Sequence, residues 1–239
     1  MSRAGSLSPV GRETLHGRVY AELRRSLIGG MFDAGQQLRI QDLAEILQTS
    51  TMPVREALGR LVSEQALEAL PSRTVRVPLI SRDRLDDLAR ARCLIEGQIV
   101  GLAMPNLTSQ DFKELKLLTE RCEEAFRRHG KDVAYITSEL NQSFHFHIYR
   151  AAGSAVLIPI VESLWLQSGP YVRAAAQIHD IETDISATHH HWALIAALER
   201  RDGPAAVRAL TDDITRSFNL VRDRLAATEV EEGRPAKYA

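Results

Sequence analysis

The protein has 239 residues, a formal net charge of −1 and 44% hydrophobic residues, a composition typical of globular proteins with room for two modest domains. No apolar run approaches the roughly 18 residues that a membrane span requires. Residues 1–12 lack the apolar segment of an export signal, so we expect a disordered tail there and a soluble protein in the cytoplasm.

The first third of the sequence has the patterning of a small DNA-binding fold. From Glu13 to Leu27 apolar residues recur every four positions, which predicts an amphipathic helix. A short second helix is expected from Ile40 to Leu47, and a third begins at Ser50, where serine and threonine are typical N-cap residues. From Ala66 to Ile80, β-branched residues between prolines predict a hairpin. We therefore expect residues 13–80 to form a winged helix-turn-helix.

Beyond Ser81, helical patterns follow one another without a convincing strand. The predicted helices cover residues 82–104, 109–129, 132–152, 155–167, 171–177, 184–201 and 204–228. Turn residues such as Gly169-Pro170 separate them. The second domain is therefore expected to be all helical over residues 81–228, with a frayed tail over residues 229–239.

Arginine is concentrated in the first third, where lysine is absent. In a helix-turn-helix the first turn of the recognition helix enters the major groove. Here that helix is the third one, which begins at Ser50. The candidate DNA contacts are therefore Ser50, Thr51, Met52 and Arg55. Hydroxyls donate to phosphates or base edges, methionine packs on a thymine methyl, and arginine pairs with guanine or phosphate. The alternative is that these residues only cap and solvate an ordinary helix.

The segment from Leu38 to Leu61 resembles the GntR family of winged-helix repressors. The resemblance is carried by Asp42-Leu43-Ala44-Glu45, by Ser50, and above all by Pro53-Val54-Arg55-Glu56-Ala57-Leu58. It implies DNA contacts at Gln41, Ser50, Thr51, Met52 and Arg55, with Arg73 in the wing. Thr51 stands where many members carry arginine, so the operator is expected to differ from the common family consensus.

The helical remainder resembles the effector-binding (FCD-type) domain of the FadR-like branch of that family. The matching stretches are the R-x-x-x-E pattern from Arg92 to Glu96, Asn141 to Gly153, and His191 to Asp202. The resemblance implies a mainly α protein, in which the winged helix-turn-helix is followed by an antiparallel α-helical bundle with a central cavity. It also implies a homodimeric repressor of a palindromic operator in double-stranded DNA, modulated by a small carboxylate and a divalent metal.

Four residues are candidate metal ligands. Asn141 and His145 are four positions apart and share a helix face, while His191 on another helix can present its imidazole to the same point. The resemblance places the fourth ligand at Asp213. Two imidazoles and two oxygens suit Zn, Ni, Mn or Fe without selecting among them. The alternative is a metal-free cavity in which both histidines are hydrogen-bonded core residues.

A carboxylate effector also needs a cation that faces the cavity. Arg92 and Arg173 are the candidates, although Arg92 has an ion pair with Glu96 on its own helix as its alternative. An enzyme is not expected: two histidines and an aspartate around a metal could support hydrolysis, but no acid, base or nucleophile is arranged beside them. A protein whose helices only dimerise is a further alternative.

Overall fold

The computed structural model describes residues 15–71, 74–128, 132–178 and 188–231. In these ranges the helices are α1 (Leu15–Ile28), α2 (Ile40–Ile46), α3 (Thr51–Ser63), α4 (Arg82–Ala103), α5 (Ser109–Phe126), α6 (Val133–Ala151), α7 (Leu157–Ile178), α8 (His189–Glu199) and α9 (Gly203–Glu231). The strands are β1 (Gln37–Leu38), β2 (Glu68–Ala69) and β3 (Val75–Arg76). The predicted mainly α fold, a winged helix-turn-helix followed by a helical domain, is confirmed. The predicted tail over residues 1–12 lies outside the described residues, as do residues 232–239.

The three N-terminal helices are held together by one apolar layer. The buried stripe of α1 consists of Val19, Leu23 and Leu27, and that of α3 consists of Val54, Leu58 and Leu61. Each such side chain contributes about 1.5 to 3 kcal/mol when it is fully removed from water, far more than the helix propensity of these short segments. This layer fixes the outward face of α3, where the candidate DNA contacts lie.

The wing is a three-stranded sheet with the order β1-β3-β2. Strand β3 pairs antiparallel with both neighbours, so that Val75 lies opposite Leu38 on one side and Ala69 on the other. The β2–β3 hairpin was predicted, whereas β1 was missed because two residues leave no readable periodicity. Residues 72–73 lie outside the described residues, and Arg73 with them.

The C-terminal helices pack around a common core. Helix α9 lies against α4, α7 and α8, and α6 lies against α5 and α7. Fully buried aromatic residues fill the centre, among them Phe144, Tyr149, Trp165 and Phe218. Within the described ranges, no helix combines the length and the hydropathy needed to cross a bilayer.

Helix α7 corrects one prediction. The Gly169-Pro170 pair was expected to end a helix, but α7 runs through it without interruption. Pro170 removes only one backbone N–H from the helix. A Cβ on Gly169 would lie 2.1 Å from the carbonyl oxygen of Leu27 on α1, so the glycine serves the close approach of two helices and not a turn.

Candidate DNA-binding surface and metal centre

The first turn of α3 presents its polar residues to solvent. Ser50, Thr51 and Arg55 are exposed, and the Met52 side chain is 56% exposed. Ser50 is the N-cap residue, yet its side chain makes no capping hydrogen bond. Its hydroxyl therefore does not occupy the first N–H groups of α3, and an exposed helix start of this kind is suited to a phosphate. Gln41 is exposed in the first turn of α2.

The charges beside this turn are arranged in favour of an anion. Glu56, the neighbour of Arg55, is in contact with His16 of α1. In the described part of the chain, Arg55 itself makes no ion pair. The guanidinium is thus available to an outside partner, and the nearest carboxylate on its helix is engaged elsewhere.

A second polar cluster lies deep in the helical domain, where α6, α8 and α9 meet. His145 Nε2 lies 3.0 Å from Oδ2 of Asp213, and His191 Nε2 lies 4.0 Å from the other oxygen of that carboxylate. His191 Nε2 is also 3.0 Å from Oδ1 of Asn141. One potential ligand atom from each of the two histidines and the aspartate lies within 4.8 Å of the others. The two histidines are 1% exposed and Asp213 is 8% exposed.

Burial sets the protonation states of this cluster. It lowers the pKa of His191 to about 4, against the opposing charge of Asp213 and with the help of neighbouring His145. For Asp213, burial acts to raise the pKa, but the hydrogen bond with His145 and the charges of the histidines hold it at about 2. At neutral pH His191 is therefore uncharged and Asp213 is a carboxylate, which are the forms that bind a cation.

The donor set fits a divalent metal ion. A carboxylate buried between two imidazoles keeps a negative charge that a neutral imidazole does not cancel. Imidazole nitrogen and carboxylate oxygen are ordinary ligands of zinc and of the other divalent metals of this size. His145, His191 and Asp213 would hold the ion, with the amide oxygen of Asn141 as a weaker neutral donor.

A pocket adjoins the cluster. The pocket is lined by three residues of the cluster, Asn141, His191 and Asp213. Its lining also includes apolar side chains of α7 and the half-buried Arg216 of α9. A mostly apolar pocket with a few convergent polar groups is the usual form of a small-molecule site.

Both domains of the chain match known protein families. The model of the family "Bacterial regulatory proteins, gntR family" matches residues 15–77, and that of the FCD domain matches residues 87–216. The Escherichia coli HTH-type transcriptional regulator McbR is 35% identical over 207 residues, covering 85% of this chain and 91% of the relative. The chain belongs to the GntR family. Its two matched domains place it in the FadR-like branch.

Further relatives agree with this assignment. The solved structure "E. coli McbR/YncC" superposes with a TM-score of 0.81 at 29% identity, covering 90% of this chain and all of that one. The E. coli HTH-type transcriptional repressor GlaR is 24% identical over 216 residues, 87% of this chain and 96% of the relative. These relatives are transcription regulators and not enzymes. The GntR chain described here is therefore a DNA-binding transcription regulator, and the alternative of a metal-dependent hydrolase is not supported.

The two arginines expected to anchor the effector lie elsewhere. Arg92 is 3% exposed, donates to both carboxylate oxygens of Glu96 at 2.6 and 3.2 Å, and stacks over Trp165. The Arg173 side chain is bound to the N-terminal domain, where it donates to Oδ1 of Asp33 at 2.7 Å and to the carbonyl oxygen of Gly30 at 2.6 Å. Neither lines the described pocket. Both arginines thus have partners within the protein, and their role in anchoring an effector stays a prediction.

Sequence reasoning missed two residues of the site. Arg216 follows Asp213 by three positions on α9 and so shares its face, a signal that was available. Glu123 on α5 accepts hydrogen bonds from Thr188 Oγ1 at 2.6 Å and from Trp192 Nε1 at 2.7 Å. These contacts bracket His191 and fix the start of α8, but no sequence pattern links residues so far apart.

Proposed function

We propose that this GntR regulator is a cytoplasmic repressor that binds a palindromic operator as a homodimer and is modulated by a small carboxylate. The proposal is carried by one observation, the convergence of His145, His191 and Asp213 beside a pocket that also contains Arg216. The relative GlaR, named a transcriptional repressor, supports the sign of regulation.

The ligand is a carboxylate because of the charges that surround the pocket. A Zn, Ni, Mn or Fe ion held by His145, His191 and Asp213 would supply a Lewis acid for a carboxylate oxygen. Arg216 lies on the same lining, and a guanidinium pairs with a second carboxylate or orients the first one. Apolar residues such as Val172 and Leu220 also line the pocket, and the carbon skeleton of the acid would pack against them.

Helix α7 offers a path from this pocket to the DNA-binding domain. Val172, Ala175 and Ala176 line the pocket. On other faces of the helix, Arg173 bonds to the turn after α1, and Glu162 accepts a hydrogen bond from Arg24 of α1 at 3.1 Å. A ligand that displaces α7 therefore also displaces the winged helix-turn-helix. Two such domains in a dimer must meet successive half-sites, so a small change in placement weakens many contacts together.

A thermal-shift screen of the zinc-loaded full-length protein with small mono-, di- and tricarboxylic acids tests this proposal. A ligand at 100 times its Kd should stabilise the protein by about 2.7 kcal/mol. Arg216→Gln should lose the shift and keep its zinc, whereas Arg150→Gln, a change at an exposed arginine of α6 outside the pocket lining, should respond as wild type. A screen without any stabilising acid, or equal responses of the two variants, would contradict the carboxylate site.

A further inference from the structure

A network of four buried polar side chains, the His145 network, runs from the metal candidates into the bundle. His145 Nδ1 lies 3.2 Å from the hydroxyl oxygen of Tyr149, and that hydroxyl donates to Oε2 of Glu96 at 2.5 Å. Arg92 donates to both oxygens of Glu96. All four side chains are at most 3% exposed. Such a network must satisfy its hydrogen bonds internally.

Counting protons along the network determines the form of the His145 ring. Glu96 accepts two hydrogen bonds from Arg92 and is therefore a carboxylate, with no proton to donate. Tyr149 has one hydroxyl proton, and Glu96 takes it. The Tyr149 oxygen then has only lone pairs to offer to His145. In the hydrogen bond between Tyr149 and His145, the proton must therefore be on Nδ1 of the histidine.

The other ring nitrogen is thereby left for a cation. In a neutral imidazole with its proton on Nδ1, Nε2 has only a lone pair, and it lies 3.0 Å from Oδ2 of Asp213. Two electron-rich atoms at this distance repel each other unless a positive charge lies between them. In the metal-free protein a proton between Nε2 and Oδ2 fills this place as their hydrogen bond, and a divalent ion replaces that proton because it accepts both atoms as ligands.

We infer that Tyr149, held by Glu96 and Arg92, is a positioning residue that fixes the tautomer of His145 and makes Nε2 its metal-binding atom. This inference rests on the proposed metal site. It gives the R-x-x-x-E pattern of α4 a role other than effector anchoring: Arg92 holds both oxygens of Glu96 in place, and Glu96 keeps the Tyr149 proton directed away from the histidine.

Zinc affinity of the tag-free, chelator-treated full-length protein tests the inference, measured by competition with a chromophoric chelator. Loss of such a hydrogen-bond partner typically weakens metal binding by about 10- to 100-fold, which is the loss expected for Tyr149→Phe. Tyr171→Phe is the matched control, since it removes the same hydroxyl from another buried tyrosine, 2% exposed, whose ring stacks on Phe218. Equal zinc affinities of the two variants would overturn the inference.

The ¹⁵N chemical shifts of His145 in wild-type protein provide a readout that does not depend on a variant folding. We expect Nδ1 to be protonated with and without zinc, and Nε2 to take the shift of a metal-bound nitrogen when zinc is added. An unprotonated Nδ1 in either state overturns the inference. Failure of the wild type to bind zinc refutes the proposed metal site instead, and the metal-free shifts still test the tautomer.

Discussion

Gly169→Ala tests whether the contact between α7 and α1 is as close as described. The new Cβ would lie 2.1 Å from the Leu27 carbonyl oxygen, and real contacts of this kind are essentially never below 3.0 Å. The two helix backbones must therefore separate by about 1 Å, because neither atom belongs to a flexible side chain. Such overpacking costs about 1 to 3 kcal/mol, while alanine returns at most about 1 kcal/mol of helix propensity. Relative to a glycine-to-alanine change that meets no other atom, we expect a destabilisation of about 1 to 3 kcal/mol.

Urea unfolding of the two glycine variants measures this difference. Gly101→Ala on α4 is the control, since its Cβ would meet nothing within 4 Å and the helix propensity of alanine should stabilise it by up to about 1 kcal/mol. Gly169→Ala should also weaken the response of operator binding to effector, because the two domains meet at this contact. A Gly169→Ala protein as stable as Gly101→Ala would refute the helix contact described here.

Three further predictions concern Arg55, His191 and Arg173. Arg55→Ala should weaken operator binding by about 1 to 3 kcal/mol in a fluorescence-anisotropy titration; an unchanged Kd would remove Arg55 from the interface. Burial lowers the pKa of His191 from 6.5 to about 4, so between these pH values the unfolded metal-free chain binds a proton that the folded protein does not. The free energy of unfolding should therefore decrease as the pH falls from 6.5 to 4, by on the order of 3 kcal/mol. Urea unfolding from pH 7 to 4 should show this slope in wild type and lose it in His191→Gln; identical slopes would contradict a buried neutral His191. Arg173→Ala should keep wild-type zinc affinity and lose much of the effector response of operator binding, since it removes the bonds to Asp33 and Gly30; a full response would place the coupling elsewhere.

The exposed first turn of α3 was predictable because its signals are local. The periodicity of α3 places Val54, Leu58 and Leu61 on one buried face, and the exposed first turn follows from that. The specific string from Pro53 to Leu58 then supplied the family. Hydrophobic patterning and a short motif act within one or two helical turns, which is the range over which sequence determines helix faces.

The metal candidates required more than local patterns. Asn141 and His145 share a face by spacing, but Asp213 is 68 positions from His145, and only the resemblance placed it there. The effector arginines could not be assigned in this way. An arginine at a plausible helix position pairs with whatever the tertiary structure brings to it, and Arg173 meets Asp33, 140 positions away.

The error at Gly169-Pro170 has the same origin. Glycine followed by proline is common in turns, and nothing local distinguishes a turn from a helix that needs a glycine for close packing. The deciding atom is the carbonyl oxygen of Leu27, in the other domain. Such a residue becomes interpretable only when both helices are in place.

Operator binding in the presence and absence of effector tests the central claim most directly. Duplexes selected from a random pool by the purified zinc-loaded protein should contain a palindrome, and a saturating carboxylate found in the thermal screen should change the operator Kd. Linkage requires that operator change the affinity for that carboxylate by the same factor. Selection of no palindrome, or an operator Kd that is identical with and without a bound carboxylate, would contradict the proposal of a metabolite-responsive regulator.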